Sequence, residues 1–442
     1  MAVTGRAALA ALVGAALVLV FPGGWWVLLA AWGVLAVLVG VDVLFAGAVG
    51  ALRLTRSGDT SCRLDQTATV VLTVENHGAR RVHGLLRDAW PPSAGTTPRR
   101  HRIAVPAGER RRVETVLHPT RRGDRGAARV TVRSYGPLRL AARQGSREVP
   151  WTVRVLPAFP SRRHLPGKLA KLREADGRQA ARIRGQGTEF DSLREYVDGD
   201  DVRSIDWRAT ARRLGGDAEG GGNRSAVVVR TWRPERDRRI LIVLDTGRTS
   251  AARVGDIPRL DAAMDAALLL TALASRVGDR VDFVAYDRQV RAQVRHASRE
   301  KVLGAVVDVM APLESQLVEI DPVGLTAVAL EKARQRSLVV VLTDLSQSAL
   351  EDGLVPRLPL LAAKHLVLVA AVADPGVAEM ARRRGDAAAV YDAAAAERTS
   401  ESRGHVTASL RRHGAEVVDA PPDELAPALA DRYIALKAAG RL

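Results

Sequence analysis

Two runs near the amino terminus, Ala7–Phe21 and Trp25–Val41, contain no charged or strongly polar residue, and Pro22-Gly23-Gly24 separates them. Both are apolar on every side rather than along one stripe, which is how a helix surrounded by lipid reads. Proline and two glycines break a helix, so the pattern predicts two spans joined by a tight turn. A span needs about 20 residues, so the first run is short unless it draws on its flanks. Asp42 is expected to mark the end of the second span. A carboxylate used inside the membrane would need a partner that the sequence does not display.

From residue 61 the period changes to strand-like alternation. Runs at Ala68–Val74, Val82–Leu86, His101–Val105, Arg112–Leu117, Ala128–Val132 and Trp151–Leu156 are separated by turn signals such as Glu75-Asn76-His77-Gly78. Short strands at this spacing predict a small β-sandwich over 51–160. Residues 161–235 read as a linker, with a helical turn around Leu193–Val197, a turn at Gly199-Asp200, and then Val202–Arg212 with Ile205 and Trp207. Beyond it, Arg239–Leu244 is a continuous apolar run ending at Asp245, as a strand buried on both faces would be. Leu260–Val277 has helical spacing. Strands are expected at Arg280–Tyr286, Leu338–Thr343, His365–Val372 and Glu416–Val418, and helices at Arg299–Met310, Leu325–Arg336, Val377–Arg383 and Asp423–Lys437. Alternating strands and helices predict a doubly wound α/β domain over 236–442, with its site at the carboxyl ends of the strands. The expected fold class is therefore multidomain: a transmembrane helical hairpin over 1–50, the sandwich, the linker and the α/β domain.

Charge refines this division. The 442 residues carry a formal net charge of +17, but residues 51–164 hold 23 Arg against 8 acids, while 1–50 and 236–442 are each neutral. The excess belongs to the module that follows the apolar runs, not to the whole chain. Arg6 precedes the first run and Arg53 and Arg56 follow the second, whereas the turn carries no base. The positive-inside bias then places both termini in the cytoplasm of a cell membrane crossed twice. A cleaved signal peptide is the alternative, countered by the second apolar run that follows at once. The arginines of 51–160 are either a solvated face or an adhesive for anionic lipid, worth about 1 kcal/mol per basic residue that reaches the surface. Few aromatics and no recognition-helix pattern accompany them, so nucleic acid is not the expected partner. A single Cys62 excludes a disulfide scaffold.

Residues 187–212 place seven acids and four arginines in close alternation. Such spacing favours an internal salt-bridge network over a catalytic pair, and Asp200-Asp201 has no evident pocket. Trp207, Trp232 and Tyr196 read as packing residues. The glycine-rich Gly215–Gly222 run lacks the phosphate-loop pattern. Gly187, Glu189, Phe190, Arg194, Tyr196, Gly199, Asp200, Arg203, Ile205, Trp207, Ala211 and Arg212 stand in an order that resembles the signature of the domain-of-unknown-function 58 family, and the layout of the whole chain resembles it too. The resemblance implies a bacterial inner-membrane protein with a carboxyl-terminal von Willebrand factor A-like domain, encoded beside a MoxR-type AAA ATPase. It makes the signature residues structural or partner-docking.

In von Willebrand factor A-like domains, the resemblance further implies, Mg²⁺ sits on a DxSxS loop with a distant Thr and a distant Asp, and an open position accepts a partner's carboxylate. Here Asp245, Thr249, Thr326 and Asp344 match that set, while Gly247 removes one hydroxyl and degrades the adhesion site. Oxygen donors suit a hard cation; alternatively, Asp245 and Asp344 satisfy backbone groups at strand ends. The expected function is a membrane-anchored, cytoplasm-facing protein-binding adaptor, working with the ATPase in assembly or maturation of other proteins. The alternatives are a metal-independent scaffold for envelope machinery and an aspartate-dependent phosphohydrolase with Asp245 as nucleophile. Against the latter, position 247 lacks the second carboxylate. No HExxH or GxSxG pattern occurs, and no enzyme is expected.

Overall fold

The computed structural model describes residues 2–20, 25–182, 189–198, 200–216, 227–233, 238–346 and 350–442. The expected Pro22–Gly24 turn, Gly187, Gly199, most of the Gly215–Gly222 run and the side chain of Trp232 lie outside the described residues. The chain forms two compact units, Met1–Ala158 and Phe159–Leu442.

In the first unit, helices Gly5–Val20 and Trp25–Phe45 pack on each other where Gly14 meets Ala31. Among the described residues, one helix is long and apolar enough to cross a membrane, the stretch beginning at Trp25, with mean hydropathy 2.5. Its 21 residues from Trp25 to Phe45 span about 31 Å at 1.5 Å per residue. Trp25, Trp26, Leu29, Trp32 and Val37 are all more than half exposed on it. The helix at Gly5–Val20 has 16 residues and is shorter than a span needs.

Behind the helices stand two antiparallel sheets. One orders Ala2–Val3, Ala141–Arg147, Val130–Tyr135, Val82–Asp88 and His101–Val105; the other orders Leu52–Gly58, Ala68–Asn76, Arg110–Leu117 and Thr96–Thr97. Leu52, Leu72 and Val74 from the second meet Val82, Leu86, Ile103, Val130 and Val132 from the first in one core. A third sheet joins Ser61–Arg63, Thr152–Leu156 and Gly123–Gly126. Leu52–Gly58 and Ala141–Arg147 fall outside the expected strands because arginines interrupt their alternation. One of those arginines is not solvated: the side chain of Arg56 is fully buried and pairs with Asp88, which also accepts from Trp90 Nε1 at 3.0 Å.

Asp42 does not end its helix. It lies inside, fully buried, and its carboxylate accepts the backbone N–H of Leu138 at 2.7 Å, of Ala141 at 2.9 Å and of Leu140. A Cβ at Gly136 would come within 2.4 Å of Asp42 Oδ1, so only glycine permits this approach.

In the second unit a six-stranded sheet runs Val290–Val294, Arg280–Tyr286, Arg239–Asp245, Leu338–Leu342, Leu366–Val372 and Glu416–Ala420. In chain order this is third, second, first, fourth, fifth and sixth; five strands are parallel and the edge strand Val290–Val294 is antiparallel. Helices cover both faces. Arg259–Arg276 and Pro422–Ala438 pack together on one; Leu325, Leu358, Leu361, Val406 and Leu410 join Val339, Val341 and Val369 in the core of the other. The strand order reverses between Arg239–Asp245 and Leu338–Leu342, which opens the crevice where such sheets carry their sites.

Residues 165–182 form a helix packed against Arg259–Arg276 and Pro422–Ala438, so this part of the expected linker belongs to the second unit. The helical turn expected at Leu193–Val197 is instead strand Glu189–Glu195, paired antiparallel with Val228–Arg233 across a bulge at Phe190/Ser192. The partner strand, more than 30 residues on, decides what local propensity could not.

Candidate functional site

The apolar strand Arg239–Asp245 delivers Asp245 to the carboxyl edge of the sheet, where it is 1% exposed. Burial pushes its carboxyl up, and hydrogen bonds oppose the rise: Thr343 Oγ1 donates to Oδ2 at 2.6 Å and the Gly247 amide to Oδ1 at 2.7 Å. Thr249 Oγ1 stands 3.5 Å from Oδ2 and Ser250 Oγ donates to the Asp245 carbonyl. The loop is thus wound around its own aspartate.

Gly247, which departs from the hydroxyl pattern, has a steric reason. A Cβ there would sit 3.0 Å from both Asp245 Oδ1 and the Val318 carbonyl. Segment 316–321 lies over the loop, held by Arg248 N to Val318 O at 2.8 Å and Gln316 N to Thr246 O at 2.7 Å. Arg248 turns its guanidinium outward onto Glu319 at 2.8 Å. Thr246 is buried and donates to Asp287, which Arg291 also holds at 2.6 Å.

Thr343 and Asp344 directly follow the neighbouring strand Leu338–Leu342 and come to the same edge. Arg259 lies 3.0 Å from Oδ2 and Arg403 lies 2.8 Å from Oδ1, and Arg403 continues to Asp419 at 2.7 Å. Helix Arg259–Arg276 supplies one guanidinium and helix Ala387–Arg412 the other. Thr326, at 4% exposure, back-bonds to Pro322 O at 2.8 Å within its helix. A pocket of about 10 Å³, room for one small molecule the size of water, lies among Thr249, Ser250, Arg259, Thr343 and Asp344.

These residues do not fit Mg²⁺. Both oxygens of Asp344 face guanidinium groups, and both oxygens of Asp245 already accept hydrogen bonds. Two fixed positive charges beside the second carboxylate disfavour a divalent cation. Among the described residues, no group of three or more His, Cys, Asp or Glu is arranged to hold a metal. Thr343, Arg259 and Arg403 escape sequence reasoning: Thr343 adjoins a matched residue and was legible in principle, whereas the arginines come from distant helices with no motif.

The signature residues gather apart from this edge. Arg194 pairs with Asp200 at 2.6 Å, Asp200 also accepts the Val197 amide, and Asp206 holds Arg230 at 2.8 Å. Hydrogen bonding to Arg194 lowers the Asp200 carboxyl. Asp201 caps the turn through the Arg203 amide. Glu189 and Phe190 lie in the strand, Tyr196 is half-buried and Arg212 exposed on helix Trp207–Gly216. Trp207, expected to pack, is 66% exposed at the start of that helix.

The family model for "Protein of unknown function DUF58" matches residues 192–413. No curated protein matches the chain. Among solved structures, the CARDB domain of a Pyrococcus furiosus protein in complex with di-metal ions is 15% identical, covering 26% of this chain and 90% of that one at a TM-score of 0.19. A β-glucosidase from Listeria innocua in complex with glucose is 14% identical over 23% of this chain and 16% of that one, TM-score 0.15. A GH20 exo-β-N-acetylglucosaminidase from Vibrio harveyi is 10% identical over 84% and 75% of the two chains, TM-score 0.24. All three scores are too low to carry a statement about this chain.

Proposed function

The chain belongs to the DUF58 family, and from that premise we propose that it is a membrane-anchored, cytoplasm-facing protein-binding adaptor whose partner is a MoxR-type AAA ATPase. The apolar helix Trp25–Phe45 supports the anchor, with the shorter helix as its companion in a two-helix hairpin. The third-second-first-fourth-fifth-sixth strand order with one antiparallel edge supports a von Willebrand factor A-like reading of the second unit. The observation that carries the binding role is the edge built from Asp245, Thr249, Thr343 and Asp344, to which Thr326 makes no hydrogen bond among the described residues. It presents packed, internally paired polar groups and no nucleophile–base pair with room for a substrate. The Arg259–Asp344–Arg403 knot favours a metal-independent adaptor: the guanidinium groups hold the charge that a cation would otherwise supply.

The test is co-purification from solubilised membranes of the full chain, wild type and Asp344→Ala, with the ATPase identified by mass spectrometry. The adaptor reading expects the ATPase with wild type in buffers containing either Mg²⁺ or a chelator, and less with the variant, which takes the shared carboxylate from Arg259 and leaves Arg403 only that of Asp419. Absence of any AAA ATPase from the wild-type sample removes the proposal.

A further inference from the structure

A groove of about 420 Å³ opens in the first unit where the chain leaves helix Trp25–Phe45. One wall is strand Ala141–Arg147, whose alternation sets Arg143, Gly145 and Arg147 on one face. Val43, Ala48 and Val49 supply an apolar floor. The gap between the arginines depends on Gly145, where a Cβ would lie 3.0 Å from Val49 Cγ1. Beyond Ala142 the outer edge of the strand pairs with no other strand among the described residues, because Ala2–Val3 reaches only Ala141 and Ala142.

Both guanidinium groups are held in place by backbone rather than by acids. Arg143 Nε donates to the Val43 carbonyl at 2.9 Å, and Arg147 donates to the carbonyls of Leu52 and Gly50. Neither has an ion-pair partner among the described residues, whereas Arg56, Arg111 and Arg154 of the same unit each meet a carboxylate. Two fixed, uncompensated positive charges flank an apolar floor at the carboxyl end of the membrane-length helix. With that helix in a bilayer, its end lies at headgroup depth.

We propose that this groove binds the phosphate of an anionic phospholipid headgroup, with Arg143 and Arg147 on the phosphate and Val43, Ala48 and Val49 against the glycerol and first methylenes. The proposal rests on the membrane-anchor reading. Arginine suits the role because its remaining N–H donors present a flat, multidentate face to phosphate oxygens.

The experiment is native mass spectrometry of the full chain in detergent, titrated with phosphatidylglycerol or phosphatidylcholine. The variants are Ala48→Asp, which puts a negative charge on the apolar floor of the groove while leaving the arginine–carbonyl contacts intact, and Arg111→Gln, which makes the same change in net charge on the other sheet. Wild type is expected to retain one phosphatidylglycerol with a preference of roughly tenfold or more over phosphatidylcholine. Ala48→Asp should lose that preference, Arg111→Gln should keep it, and excess inorganic phosphate should not replace the lipid. Equal retention of the two lipids, an unaffected Ala48→Asp, an equal loss in Arg111→Gln, or full displacement by inorganic phosphate would each overturn it. Extraction from membranes by alkaline carbonate reads the anchor separately: release overturns the anchor, while a retained chain without lipid preference overturns the groove alone.

Discussion

Single side chains in this protein are decided by what surrounds them more than by what they are. Asp265 sits inside helix Arg259–Arg276 at 7% exposure, and its carboxylate accepts Ser161 Oγ at 2.8 Å and the Ser161 amide at 3.3 Å. Burial outweighs these bonds and pushes its carboxyl up to about 6. An unfolded aspartate releases its proton near 3.8, so between there and about 6 the folded state binds more protons. Stability is therefore highest at the acid end of that window and declines as pH rises through about 6. Asp265→Asn keeps an acceptor for Ser161 and removes the charge, so it should stabilise the full chain above pH 7 by about 1–3 kcal/mol, with little effect near pH 4. Thermal unfolding of both proteins at the two pH values checks this; a variant no more stable than wild type at pH 8 would refute it. Asp245 was legible from an apolar strand ending in a carboxylate. That Asp265 is buried was not, because its partner lies 104 residues away.

At the scale of elements, the clearest case is the contact between helix Trp25–Phe45 and the turn before strand Ala141–Arg147. Asp42 closes three backbone N–H groups of that turn, and Arg80 and Arg143 take up the carbonyls of Leu44 and Val43 at the helix end. The helix is thereby fixed to the β module rather than tethered to it. Asp42→Ala leaves three backbone donors without their acceptor, that of Ala141 buried and the other two partly so, and should cost about 2–4 kcal/mol. Gly136→Ala should be comparably damaging through contact with the Asp42 backbone and carboxylate. Limited proteolysis after Phe45, in detergent, reads the loosening; cleavage no faster in either variant than in wild type would contradict it. Periodicity located this helix and most strands, but the charge at Asp42, which normally marks a boundary, sits within a helix that continues to Phe45. It also read a helical turn at Leu193–Val197, where strand Glu189–Glu195 ends, since a strand that depends on a distant partner has no local signature.

Across the whole molecule, buried polar contacts join segments far apart in sequence. In the second unit Lys437, 3% exposed, donates to both oxygens of Asp279 at 3.0 and 3.1 Å, and Tyr433 donates to the same carboxylate. This ties the final helix, Pro422–Ala438, to the residue before strand Arg280–Tyr286. Lys437→Met leaves a buried carboxylate without its cation and should cost about 3–5 kcal/mol, and adding Asp279→Leu should restore much of the loss. Thermal unfolding of the single and double variants measures it, and a double variant as unstable as the single would argue against the pair. Composition and period by themselves determined the apolar amino terminus, the confinement of positive charge to residues 51–164, the alternation of strands and helices after residue 236, and the position of Asp245, because each follows from hydrophobic spacing or a simple count. The tertiary structure alone decided that Asp42 is a buried anchor, that Gly247 is forced by the segment above it, and that two arginines from separate helices converge on Asp344. Those outcomes depend on groups dozens of residues apart meeting at distances near 3 Å, and no local pattern encodes which distant side chain will arrive.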